Sequence, residues 1–184
     1  MKINSNILRA AMIFQAKNDV RYYLNAISIT NKHVMASDGC AAVMMEHGQR
    51  VRASSVIINF AHKIPAKANT TKIHLLGKSS FAEHFDPLGL ALSIGRIEVI
   101  SAKYPDVKRV INEAYSDYDG EHQKVAIQAK YLSLIDRAFC GKRDFCHISI
   151  ISRGSTQSVA IEFHNESIKS EFGNPMVCIM PARM

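Results

Sequence analysis

Glu83, His84 and Asp86, three side chains of metal-binding type, crowd into residues 81–87. Carboxylates and an imidazole so placed can hold a divalent cation, and a cation can activate water for phosphodiester cleavage. The competing expectation is a loop of solvated charges. Asp117, Asp119, Gly120 and Glu121 resemble part of a calcium loop, without the twelve-residue ligand spacing. The eight histidines show no H-x-x-x-H spacing, and neither a P-loop nor G-x-G-x-x-G occurs. No Ser-His-Asp or Cys-His arrangement stands out. Cys40, Cys140, Cys146 and Cys178 form no C-x-x-C pair and fit no zinc module, so buried thiols in a reducing compartment are expected. These residues point to a protein that is not an enzyme and uses no cofactor.

Positive charge offers a second chemistry. The formal net charge is +7 and the pI about 9.3, an excess that favours approach to a polyanion through steering and counterion release. Lys2, Arg9 and Lys17 lie on or beside a first expected helix, Lys63 and Lys67 on a second, and Lys130 and Arg137 on a third. Arg21 is a further basic candidate. Singly each is an ordinary surface charge. Together, recurring on all three expected helices, they favour a basic lining suited to a polyanion.

The elements expected to carry these residues repeat one unit of strand, helix and three strands. Asn4 or Ser5 can cap a helix to about Gln15, with Ile7, Leu8, Ala11 and Met12 on one side. Strands follow at 22–30, 33–36 and 40–46, with a turn at Asp38-Gly39. A second unit has a strand at 55–59, a helix at 61–68 in which Pro65 is awkward, and strands at 72–76, 88–94 and 96–102. The polar stretch 112–123 reads as a linker. A third unit has a strand at 124–128, a helix at 129–139 and strands at 147–152, 158–163 and 176–180. The fold class is therefore α+β, with helices on one face of antiparallel sheets. The division is 1–111 as one complete domain of two half-units and 124–184 as a further half-unit with its tail. The apolar run 10–14 is too short for a signal peptide and no stretch reaches a transmembrane length, which points to the cytoplasm and away from membranes.

Four segments carry a resemblance to a known family. They are Asp19-Val20-Arg21-Tyr22-Tyr23-Leu24-Asn25, then Ser37-Asp38-Gly39, then Tyr104-Pro105-Asp106-Val107-Lys108-Arg109-Val110, and the tail Cys178-Ile179-Met180-Pro181-Ala182-Arg183-Met184. In order they resemble the DVRYYLN, TDG, FPDYRRV and MPMRL segments of the bacterial DNA polymerase III beta subunit, the sliding clamp. The resemblance implies DNA-clamp-like repeats and a non-enzymatic protein that tethers replication or repair factors to duplex DNA. It also implies a pocket for short peptides of polymerases or clamp loaders. That pocket would use Leu24, Ser37, Gly39, Cys40, Ala41, Pro105, Arg109, Val110, Tyr131, Thr156, Ser158, Ile179, Met180, Pro181, Ala182, Arg183 and Met184. The family places bulky, basic residues after the TDG turn, whereas Cys40, Ala41 and Ala42 stand here, which implies an altered peptide preference.

A clamp subunit has six half-units, and this chain shows three. A shortened phage or prophage variant that assembles as a homo-oligomer is the expectation, with four chains closing a ring or, failing that, two. Two alternatives remain open. One is a decoy or regulator that binds clamp-motif peptides or a host clamp without encircling DNA. The other is a small metal-dependent nuclease at Glu83, His84 and Asp86.

Overall fold

A computed structural model describes residues 1–49, 55–117, 124–141, 145–154 and 156–182. Among the described residues, eleven strands form one antiparallel sheet. They are β1 (Lys2–Asn4), β2 (Ile27–Thr30), β3 (His33–Ser37), β4 (Ala41–Glu46), β5 (Ser55–Phe60), β6 (Thr70–His74), β7 (Phe81–Phe85), β8 (Ala91–Ile100), β9 (Ile148–Ile151), β10 (Val159–Phe163) and β11 (Met176–Ile179). Their order is β1-β6-β7-β8-β5-β2-β3-β4-β11-β10-β9. The helices are α1 (Ser5–Phe14), α2 (Val107–Tyr115), α3 (Ala129–Ile135) and α4 (Glu166–Phe172). None of them is long and apolar enough to cross a membrane.

Alternation along the strands divides the interior in two. Val34 and Ala36 of β3, Val43 and Met45 of β4, Ile161 and Phe163 of β10 and Val177 and Ile179 of β11 face one core. Ile7, Leu8, Ala11 and Phe14 of α1 fill it, with Tyr131 and Ile135 of α3 and Ile168 and Phe172 of α4. A five-residue π-helical turn, Asp136–Cys140, extends α3 and puts Phe139 at the centre. The Phe139 ring lies 6.1 Å from that of Phe14, 4.9 Å from Phe163 and 5.1 Å from Phe172. The alternate residues Met35, Ala42, Met44, Ala160 and Cys178 face the opposite side, where Val107, Ile111 and Ala114 of α2 cover them. The sheet joins distant parts of the chain: β11 lies between β4 and β10, with Val177 opposite Val43 and Ala160 opposite Cys178.

Several expected elements differ. No helix forms over 61–68. This segment is an irregular strap that buries Ile64 and Ala68, and Pro65 removes the amide a helix interior needs. The Arg9 guanidinium takes the place of helical pairing, donating to the carbonyls of Pro65 at 2.6 Å and Ala68 at 3.0 Å. Residues 81–87 do not form a loop. Phe81–Phe85 is β7, paired with β6 and β8, while the two strands expected at 88–94 and 96–102 merge into β8. No strand forms at 124–128, and the strand expected at 22–30 starts as a 3₁₀ turn, Tyr22–Asn25. Two short helices were not expected. α2 occupies the start of the stretch read as a linker, whose residues 118–123, with Asp119, Gly120 and Glu121, lie outside the described residues. α4 ends at Gly173, whose φ of +65° and closeness to the Glu46 carbonyl leave no room for a side chain: a Cβ there would sit 1.8 Å from that oxygen. Cys140 and Cys178 are buried, but Cys146 is half-buried and Cys40 is exposed, against the expectation of four buried thiols.

Candidate peptide groove and basic hollow

The segment 19–25 closes on itself. The Asp19 N–H donates to Asn25 Oδ1 and the Asn25 amide donates back to the Asp19 carbonyl, both at 2.9 Å. The Asp19 carboxylate accepts from the Arg21 backbone at 2.8 Å and from its guanidinium at 2.8 and 3.0 Å. These bonds, led by the guanidinium, hold the Asp19 carboxyl down to about 2. The closed loop turns Leu24 inward, where it is fully buried. It also aims Arg21 at the turn between β3 and β4. There Ser37 Oγ donates to the Ala41 carbonyl at 2.8 Å, and Asp38 Oδ1 accepts from the N–H groups of Cys40 (2.9 Å) and Ala41 (2.8 Å). Gly39, at φ +92°, lies directly under the Arg21 guanidinium, 2.8 Å from where a Cβ would be.

A third wall comes from α2. Asp106 caps it, accepting from the Arg109 N–H at 3.0 Å. Val107, Val110, Ile111 and Ala114 recur at helical spacing, so one stripe packs on the sheet while Val110 reaches the groove edge. Two phenols pin this region. Tyr104 accepts from the Ser37 N–H at 3.1 Å and donates to the Ala26 carbonyl at 3.3 Å. Tyr115 accepts from the Val177 N–H at 3.1 Å and donates to the Ile161 carbonyl. Burial raises both hydroxyls, Tyr115 to about 12. The tail supplies the last wall: the Met180 N–H donates to the Cys40 carbonyl and the Ala182 N–H to that of Ala126, both at 2.7 Å.

Between these walls lies a cavity of about 310 Å³. Leu24, Ser37, Gly39, Cys40, Ala41, Pro105, Arg109, Val110 and Met180 line it together. Arg21, Tyr23, Ala42, Asp106, Val107 and Cys178 line it too. All six belong to the four segments or adjoin them, so those segments were the signal that could have found them. Thr156 and Ser158 lie in a second depression of about 590 Å³, which shares Val110 and Met180 with the first. Ile179 points into the core instead, and Pro181 and Ala182 are half-buried. Arg183 and Met184 lie outside the described residues.

Tyr131 lines neither space. It borders a third hollow with Lys17, Lys130 and Arg137, and Lys130 Nζ sits 4.7 Å above its ring. Burial, with Cys40 and Asp38 beside it, pushes its hydroxyl up. The other basic residues are dispersed. Lys2 is exposed on β1, opposite Lys72 of β6, and Lys63 and Lys67 are exposed on the strap. Arg9 is half-buried on carbonyls and Arg21 is ion-paired to Asp19.

The cluster at Glu83, His84 and Asp86 does not converge, which corrects the nuclease expectation. Neighbours on a strand point to opposite faces. Glu83 pairs with His74 at 2.7 Å on the outer face, while His84 is buried on the inner one. Asp86 Oδ1 accepts the N–H groups of Leu88 and Leu90 in a turn. Among the described residues, no group of three His, Cys, Asp or Glu side chains is placed to hold a metal.

No protein-family model matches the sequence, and no curated protein matches it. Solved structures do. The DNA polymerase sliding clamp of Pseudomonas aeruginosa, crystallised with a ligand, superposes with a TM-score of 0.57 at 16% identity. The DNA polymerase III beta subunit of Borrelia burgdorferi, in complex with a natural product, gives 0.66 at 14%, and the beta subunit from Streptococcus pyogenes 0.58 at 11%. The whole chain is covered in each case, over 66%, 64% and 66% of those chains, so it spans about two thirds of their length. The antiparallel sheet and its four helices have the bacterial sliding-clamp fold.

Proposed function

We propose that this protein is a non-enzymatic, clamp-like tether that holds a short apolar peptide of a replication or repair factor near duplex DNA. One observation carries the reading. Four segments far apart in sequence meet around one cavity, and its walls are mostly apolar with a few polar groups, the composition a peptide anchor requires. Cys40 and Ala41 at the turn leave that wall narrow in side-chain volume, so the preferred anchor is a bulky apolar residue.

The DNA side rests on Lys17, Lys130 and Arg137, which gather at one hollow where α1 and α3 approach. The described sheet also ends in two open edges, β1 and β9, which favour self-association. Four chains in a ring is the arrangement proposed. A single mass in light scattering corresponding to one chain would exclude encirclement and leave a peptide-capturing regulator.

The test is fluorescence anisotropy with a dye-labelled pentapeptide ending Leu-Leu-Phe. Saturable binding is expected, weakened at least about tenfold by Met180→Glu, whose side chain is exposed enough for the fold to tolerate the change. Equal affinity in both proteins would remove the peptide from this groove. For DNA, the Lys17→Glu, Lys130→Glu, Arg137→Glu triple variant should flatten the log–log salt dependence by about 0.9 for each phosphate no longer neutralised. An unchanged slope would detach those residues from DNA.

A further inference from the structure

The second depression is bordered by a buried cation that has a donor to spare among the described residues. Arg153 is 8% exposed as a residue, and its Nε is withdrawn from water. Nη1 donates to the Glu113 carbonyl at 2.7 Å and to Ser116 Oγ at 2.6 Å, both neutral acceptors at the end of α2. Its Nε–H has no acceptor among the described residues. A buried cation whose acceptors among the described residues are neutral, with one donor left over, is costly, and an anion at the site offsets that cost.

The lining suits an anion of limited size. Thr156, Ser158 and Ser116 offer hydroxyls and Gln157 an amide, beside Arg153. Two carboxylates also line the space. Glu113 is turned to Arg109 Nη1, 2.7 Å away, and Asp117 is exposed. Val110 and Met180 form the shared wall with the apolar groove, so one extended peptide can reach both spaces.

We propose that Arg153 forms a carboxylate subsite that selects peptides carrying a free C-terminus or an acidic side chain next to their apolar anchor. The subsite deepens the peptide-groove reading and rests on it. Arg153 is a specificity-determining residue here, and it also secures the end of α2. A charge-assisted guanidinium–carboxylate contact predicts a preference of about tenfold over the uncharged peptide.

The experiment compares the dye-labelled Leu-Leu-Phe pentapeptide as free acid and as C-terminal amide, then a series of amides with one Glu or Gln moved along the sequence. The expected result is about tenfold tighter binding of the free acid or of one Glu position, whichever source places its carboxylate in the depression. Arg153→Gln should bring that ratio to one while amide binding persists, and Arg153→Lys should restore part of it. Asp117→Asn, which leaves Arg153 and α2 in place, should enlarge the ratio in the otherwise unaltered protein, a readout independent of whether Arg153→Gln folds. If acid and amide, and Glu and Gln, bind alike, the subsite is overturned and the groove survives. A preference that persists in folded Arg153→Gln overturns its assignment to Arg153. If no peptide of the set binds, the groove reading fails first.

Discussion

The two halves of the sheet cover their inner faces by different chemistry. Around β3, β4, β10 and β11, the cover is helical and apolar, with Phe139 packed among Phe14, Phe163 and Phe172. Around β6, β7 and β8, the cover includes the strap 61–69, which is pinned by polar contacts. The Arg96 carbonyl can only accept, so His62 Nδ1–H donates to it at 3.2 Å. In the neutral ring His62 Nε2 then accepts from His84 Nε2–H at 2.7 Å. His84 Nδ1 accepts from the Thr71 hydroxyl at 2.9 Å, and Thr71 from Ser5 at 2.8 Å. A helix is one way to cover a sheet. A strap serves equally when its buried polar atoms are paired, at the cost of making stability depend on protonation.

The largest break in this comparison is Phe139→Ala. Removing the ring on which three others pack is expected to cost about 3–5 kcal/mol in urea unfolding. The matching change on the strap, Ile64→Ala, is expected to cost about 2 kcal/mol, because an irregular segment collapses more readily into the space left. Equal costs would show that the strap side is packed as tightly as the helical side.

Acid should separate the halves next. Burial, then His62 and Arg9 nearby, lower His84 from 6.5 to about 4. Between those values the unfolded chain binds the proton and the folded chain does not. The His84 contribution therefore destabilises the fold as pH drops from 6.5 towards 4 and levels below that. His84→Gln should remove this slope. A slope that survives the substitution would place the sensitivity elsewhere. The smallest effect is Arg9→Gln. It removes charge-assisted bonds to Pro65 and Ala68 but also relieves a half-buried charge, for a net cost of about 1 kcal/mol, with faster hydrogen exchange in 61–69 than at β11.

Much of the helical half was legible in sequence. The spacing of Ile7, Leu8 and Ala11 gave α1, and the strands near 33–46, 159–163 and 176–179 fell where β-branched and aromatic runs placed them. The groove was legible through resemblance rather than periodicity, since no local pattern says that Leu24, Pro105 and Met180 meet. Tyr131 shows the limit of carrying positions over one by one: its residue type fits, but the helix bearing it turns it towards Lys17 and Arg137. The strap half was misread where local propensity and tertiary pairing compete. A run of good helix formers around Pro65 looks helical until Arg9 and His84 supply other partners, and Glu83–His84 looks like a charged loop until β6 and β8 pair on either side. α2 and α4 were missed because they are short and their caps, Asp106 and Gly173, sit in segments also readable as turns.

Whether the groove binds peptide is decided most directly by chemical-shift mapping of the labelled protein with the Leu-Leu-Phe pentapeptide. Shifts are expected to cluster on Leu24, Gly39 to Ala42, Val110 and Met180, with the Lys17, Lys130 and Arg137 hollow unaffected. Saturating shifts that map to that hollow or to the strap, with the groove residues silent, would contradict a peptide-binding groove.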